Sequence, residues 1–317
     1  MSIGKQKAHP AAVAYAKRQR RNQLASIRKT VAPILVFALI AGGYVFYHNK
    51  HTANVGASVA PNVACSAGTA GCGSMDEPYA GSPAADWADG PAGIVLPAAV
   101  ATGDFSAGAV SADLTLAKQI AVDQTLVPDV IVSGAPPTAM MSLIDPSSSI
   151  TSRLVSSIAS ATSANDPSNT FVRFDPKIAA LITTPKVSGT VTYSQVQAGV
   201  LQVDVDLKIA YALKMPDGSA WTRTVATVGD ELQFITSDSH YRVTPPGTAW
   251  PYSVGVTDYA GVECQPAAGF QEPQYPTLGG SGQGITGAPV DPYATTTAAP
   301  NPAPSATPGG CRPLSRI

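Results

Sequence analysis

The chain has 317 residues, 13% of them charged, and a formal net charge of −1. That length allows one or two domains. The near-zero balance hides two oppositely charged parts, and this unevenness sets aside a nucleic-acid partner in favour of membrane topology.

Met1 to Lys29 holds eight Lys or Arg and no acid, and the first acidic residue is Asp76. From residue 51 onward, 11 Lys or Arg stand against 21 Asp or Glu. Between these parts lies Val31-Ala-Pro-Ile-Leu-Val-Phe-Ala-Leu-Ile-Ala-Gly-Gly-Tyr-Val-Phe-Tyr47, a charge-free run of 17 residues. It sits at the short end of the roughly 17–25 residues that cross a bilayer as a helix. Arg28 and Lys29 flank one end, and Tyr44, Tyr47, His48 and Lys50 mark the other, as the headgroup region favours. The basic excess at Lys7, Lys17, Arg18, Arg20, Arg21, Arg28 and Lys29 places residues 1–30 in the cytoplasm by the positive-inside rule. A cleaved signal peptide fits less well, because Tyr47-His-Asn-Lys-His-Thr-Ala53 is a poor cleavage site. A buried core helix lacks a nearby amphipathic segment to cover it. The expectation is a single-pass anchor at residues 31–47, in contact with the lipid bilayer, with the C-terminal part extracytoplasmic.

Residues 48–93 are dominated by Ala, Gly, Ser, Pro and Asn, which predicts a flexible tether. Residues 266–317 are rich in Pro, Gly and Thr and predict a disordered tail. Between them, residues 94–265 form a patterned block of single-domain size. Ser106 caps a predicted helix whose apolar positions Val110, Leu114, Ala117, Ile120 and Ala121 share one face, and Pro128 ends it. Pro136-Pro137 opens a short helical turn through Met140, Met141 and Ile144. A third helix carries Ile150, Leu154, Val155 and Ile158 as its stripe.

After Asn165-Asp-Pro-Ser168 the period changes to two. Strands are expected at Thr170–Phe174, Lys186–Tyr193 and Val200–Leu213. In the last of these, Leu201, Val203, Val205, Leu207, Ile209 and Tyr211 alternate with Gln202, Asp204, Asp206 and Lys208, giving one buried and one wet face. Pro216-Asp-Gly-Ser219 is a turn. Further strands are expected near 220–228, 231–236 and 240–244. Helices followed by a strand meander make the class α+β.

The stretch Gly93-Ile-Val-Leu-Pro-Ala-Ala-Val-Ala-Thr-Gly-Asp-Phe-Ser106, with Phe171-Val-Arg-Phe-Asp-Pro176 and Val187-Ser-Gly-Thr190, resembles a family of uncharacterised actinobacterial proteins. These have a basic N-terminus, one anchor and an extracytoplasmic domain. The order of helices then curved antiparallel sheet also looks like the nuclear-transport-factor-2-like (cystatin-like) fold. The resemblance covers roughly residues 93–265. It implies no known activity and therefore carries over no functional residues. The same general fold occurs in assembly components of conjugation and type IV secretion channels, an analogy of architecture.

Chemistry-bearing motifs are sparse. From residue 51 onward the sequence holds only His51 and His240, with no Cys-x-x-Cys, His-x-His or His-Glu-x-x-His, so no metal ligand set is expected. Asp204 and Asp206 share a strand face; acid–base or cation chemistry is one reading, and a solvated sheet face flanked by Gln202 and Lys208 is the favoured one. Asp230, Glu231 and Asp258 read as single acids in turns. There is no Gly-x-Ser-x-Gly elbow, and Gly279-Gly-Ser-Gly-Gln-Gly284 lacks the Lys and the strand–helix setting of a phosphate loop. In an oxidising compartment Cys65, Cys72, Cys264 and Cys311 favour disulfides. Cys65–Cys72 with Cys264–Cys311 is the simplest of three connectivities, and a bridge from Cys264 to either tether cysteine is another.

These features favour a non-enzymatic interaction or scaffold role toward an envelope protein or the cell wall, with no cofactor and no nucleic acid. A small-ligand or sensor domain lined by Met140, Met141, Trp221, Phe234 and Tyr241 is the alternative. An enzyme with unfamiliar geometry comes third.

Overall fold

The computed structural model describes residues 73–236, 243–263, 269–275 and 291–294. The run 31–47, all four cysteines and His240 lie outside them. Among the described residues no helix is long and apolar enough to cross a membrane.

The elements follow one another as a helical half and a sheet half, an α+β arrangement. A two-residue strand β1 (Ala88–Asp89) precedes four helices: α1 (Ala107–Thr125), α2 (Pro128–Val132), α3 (Thr138–Leu143) and α4 (Ser149–Ala159). Then come β2 (Ala180–Leu181), β3 (Lys186–Gln197), β4 (Val200–Lys214), β5 (Trp221–Ile235), β6 (Trp250–Ser253) and β7 (Val256–Ala260). All pairings are antiparallel, in the order β1-β3-β4-β5-β6, with β2 on β4 and β7 on β5.

Helix α1 forms where its cap and stripe require. Ser106 Oγ accepts from the Ala109 amide, and Val110, Leu114, Ala117, Ile120 and Ala121 are all buried. They pack on the core face of β4, whose Leu201, Val203, Val205, Leu207, Ile209 and Tyr211 are buried too. Tyr211 donates its hydroxyl to Thr125 O at 2.9 Å, tying the sheet to the helix end. The turn after β4 uses Gly218 at φ +73, a conformation that glycine adopts freely.

Four expectations are corrected. First, strands near 220–228 and 231–236 are one continuous strand, β5; Gly229 and Asp230 sit inside the ladder opposite Asp206 and Val205. Second, Thr170–Phe174 is not a strand. Its backbone amides turn instead to helix carbonyls, Val172 N to Gln124 O and Phe174 N to Ile131 O, and only a bridge from Phe174 to Gln271 is sheet-like.

Third, α4 buries Thr151, Leu154 and Ser157, while Val155 is 50% exposed. The Thr151 hydroxyl donates to Asp145 O, and its amide is capped by Ser148 Oγ, so hydroxyls share the buried face with Leu154 and Ile158, and of the expected stripe only Val155 is exposed. Fourth, parts of the expected tether and tail belong to the fold. Tyr79, Ala84 and Tyr293 are buried against Ala210, Ala212, Val225 and Ala260 on the outer sheet face, with Trp87 packed alongside. A few large side chains are enough to dock a segment whose average composition is too poor to predict order.

Candidate functional site

The outer sheet face has two halves. One half is a clasp made by the flanking segments. Tyr79 reaches into the gap between β2 and β3: its hydroxyl donates to Ala210 O (3.0 Å) or Thr184 O (3.2 Å) and accepts from Ala212 N at 3.2 Å. It thus serves backbone groups of β4 where no strand neighbour stands, and burial holds its hydroxyl well above the ordinary tyrosine range. The buried Arg223 donates to Ala80 O at 3.2 Å. Trp87 meets Tyr293 edge-on at 5.7 Å. Lys208 donates to Pro292 O at 3.0 Å. Gly93 passes so close to Val187 that a Cβ there would meet its carbonyl.

The other half is acidic. Asp204 and Asp206 project with Gln202 and Lys208, as the alternation predicts, and Glu231 stands opposite Asp204 in register. Burial raises all three carboxyls; for Asp206 the neighbouring Asp204 adds to this, and for Glu231 both aspartates do. Gln202 bonds Asp204 at 2.7 Å and partly opposes the rise. Lys208 is lowered by burial, and Asp258 and Asp291 push it back up. Among the described residues no group of three or more His, Cys, Asp or Glu is arranged to hold a metal ion.

On the core face, alternation along β5 places Asp230 in the row Ala226, Val228, Leu232, Phe234. It is only 2% exposed. Its Oδ1 accepts from Gly255 N at 3.0 Å and from Gln124 Nε2 at 3.3 Å. Burial drives this carboxyl up to about 7; the bonds from Gly255 and Gln124 oppose the rise, and Asp206 reinforces it. Sequence reasoning missed this residue because Gly229-Asp230 reads as a turn. The signal was present: Asp230 falls on the apolar parity of its strand, and Gln124 continues the α1 stripe.

Another buried charge lies beside residues 269–271. Arg173 is 6% exposed, donates to Gly134 O at 3.3 Å, and lies 4.0 Å from the Phe270 ring centroid and 5.2 Å from that of Phe171. Asp166 receives Gly269 N, Tyr259 donates to Ser168 O, and Gln271 donates to Ser168 Oγ. The bonds of Gly269 and Gln271 fix residues 269–271 against the loop before β2, and that of Tyr259 ties β7 to the same loop.

Of the residues expected to line a ligand pocket, Met140, Met141 and Phe234 fall in one core cluster and Trp221 stands apart from it. Met140 and Phe234 are buried in the core, while Trp221 lies on the outer face of β5, on the opposite parity from Phe234. Tyr241 is outside the described residues. The exposed face of α1 carries a shallow groove along Gly108, Ser111, Ala112, Thr115, Leu116 and Gln119.

Among the described residues β3 has no strand neighbour on one side beyond Val187, although the side chains of Tyr193 and Gln195 bond to residues 98–104. β1 pairs only with Lys186 and Val187 of β3, and the Lys186–Asp89 ion pair at 3.0 Å closes that corner. From Ser188 to Gln197, no backbone bond among the described residues reaches the outer edge of β3. The stretch Ser188-Gly-Thr-Val-Thr-Tyr-Ser-Gln-Val-Gln197 carries no charge, and Thr190, Thr192, Ser194 and Val196 are exposed.

No family model matches the chain, and no curated protein or solved structure matches it.

Proposed function

We propose that this chain is a membrane-anchored, extracytoplasmic interaction protein of a cell-envelope assembly, holding its domain outside the cytoplasmic membrane to bind a protein partner. The open edge of β3 is the observation that carries this reading. An edge strand presents a row of unpaired N–H and C=O groups, and natural sheets blunt such edges with charge, proline or bulges. This edge has no charge and no proline over Ser188–Gln197 and is rich in Thr, Val and Tyr. Its one irregularity lies at the far end, near Gln195 and Gln197. The partner is an extended segment of an envelope protein that adds a strand to β3, with main-chain bonds supplying affinity and alternate side chains supplying selectivity.

The rest of the reading comes from sequence. The charge-free run 31–47 crosses the membrane, the basic residues 1–30 lie in the cytoplasm, and the cysteines form disulfides on the oxidising side. The resemblance to actinobacterial single-pass proteins, and to the curved sheet of the nuclear-transport-factor-2-like fold, belongs to the same proposal.

The test is crosslinking in intact cells, followed by solubilisation, recovery through a C-terminal tag and mass spectrometry. A reproducible set of envelope proteins is expected. Recovery of this protein alone contradicts the assembly role and redirects the search to a bound small molecule.

A further inference from the structure

Two buried oxygens in the core are left without a hydrogen-bond partner, Asp230 Oδ2 and Gln124 Oε1. They belong to side chains already joined through their other atoms, since Gln124 Nε2 donates to Asp230 Oδ1. The amide orientation is fixed independently. Nε2 also donates to Thr170 O at 2.7 Å, so exchanging the amide atoms would set one acceptor against another. Asp230 Oδ1 accepts twice, from Gln124 and Gly255, while Oδ2 accepts from nothing. That asymmetry describes a carboxylic acid rather than a carboxylate: a carbonyl oxygen that accepts and a hydroxyl oxygen that must donate.

We propose that Asp230 and Gln124 close into one acid–amide pair, in which a proton on Asp230 Oδ2 is donated to Gln124 Oε1 and locks α1 to the sheet. One proton satisfies both orphaned oxygens, each of which otherwise carries the full cost of a buried unpaired acceptor. The pair joins four parts of the molecule. Gln124 lies near the C-terminal end of α1, and its Nε2 holds Thr170 in the loop before β2. Asp230 lies in β5 and holds Gly255 at the corner between β6 and β7.

The surroundings leave the proton in place. From α1, Asp123 is engaged by Gln119. From β4, the Tyr211 hydroxyl is spent on Thr125 O, and Asp206 acts across the sheet with the sign that favours protonation. From β7, Tyr259 donates to Ser168 O. The loop before β2 contributes Arg173, which is taken up by Gly134 O and two phenylalanine rings. From β6, Tyr252 is 58% exposed. No cation is among the groups acting on Asp230. Loss of the proton sets two acceptors against each other with no donor between them, so the pair is a latch that opens on the alkaline side of neutrality.

The experiment is a carboxyl and amide NMR titration of the full chain in detergent micelles. D230N identifies the Asp230 signal by its loss, and D113N removes another aspartate that burial pushes up, to about 6. Asp230 is expected to titrate near 7, with the Gln124 side-chain and Gly255 backbone amide signals moving at the same midpoint. In D230N the new amide donates where the proton did, and those two signals become insensitive to pH. Titration of Asp230 in the ordinary carboxylate range overturns the proposal. So does titration near neutrality that leaves the Gln124 signals still. If D230N does not fold, infrared spectroscopy of the unmodified protein decides. A protonated-carboxyl band lost around neutrality in the D113N background supports the latch, and its absence on the acid side refutes it.

Discussion

The two faces of the β4–β5 ribbon carry acids in opposite circumstances. Asp204, Asp206 and Glu231 stand on the outer face among amides and a lysine; partial burial raises all three, and acidic neighbours add to this for Asp206 and Glu231. Asp230, next to Glu231 in sequence and opposite Val205 in register, points into the core and is driven to about 7. Chemical identity is the same, and a single step along the strand changes the environment entirely, because side chains of a strand alternate between faces. The outer acids are only partly desolvated. The inner one is desolvated, which disfavours its charged form.

The largest effect expected from this contrast is on the core side. Phe174 is fully buried, with its ring 5.4 Å from Tyr211 and 6.4 Å from Tyr259. Phe174→Ala is expected to cost about 3–5 kcal/mol in denaturant unfolding, by lost burial plus a residual cavity.

Next is the pH dependence. Asp230 has its pKa raised in the folded state, from an ordinary value of about 4 to about 7. Its contribution to stability is therefore complete below about pH 4 and declines as pH rises through about 7, where it levels off. The loss amounts to at most about 4 kcal/mol. Thermal melts of D230N are expected to show a much shallower decline over that window. A profile as steep as that of the unmodified protein would assign the pH dependence to other carboxyls.

On the clasp, Tyr79→Phe removes the hydroxyl that serves Ala212 N and Ala210 O. It is expected to cost about 1–3 kcal/mol, the penalty of buried backbone groups left unpaired. Limited proteolysis should then open the chain between residues 73 and 93 before the core. Simultaneous opening of both would mean that the flank and core unfold as one unit.

The smallest effect is on the outer acids. Asp206→Asn relieves repulsion from Asp204 and is expected to change stability at neutral pH by less than about 1 kcal/mol, toward greater stability, because exposed charges are screened. A large effect would show that these carboxyls hold a cation or partner charge.

Much of the architecture was legible because it rests on periodicity. The α1 stripe, the cap at Ser106, the alternation through β4 and the turn at Pro216–Ser219 are local signals that the structure realises. What escaped were features set by a few long-range contacts. Gly229-Asp230 looks like a turn until the ladder with β4 is known. Tyr79, Trp87 and Tyr293 are isolated aromatics in segments of otherwise weak composition, and their docking depends on small residues such as Ala210 and Ala212 of the sheet. The same smallness that lets the flanks approach makes these alanines uninformative in sequence. The open edge of β3 depends on what does not pair with it, which no single strand's sequence records.

The most direct test of the interaction role is a photo-crosslinking side chain placed at Thr192, in the middle of the open edge, and separately at Thr115 on the exposed face of α1. Both are introduced into the full chain in intact cells. The account predicts a discrete protein adduct from Thr192 and none from Thr115. Equal labelling from both positions, or none from Thr192, would contradict β3 as the surface through which this protein binds its partner.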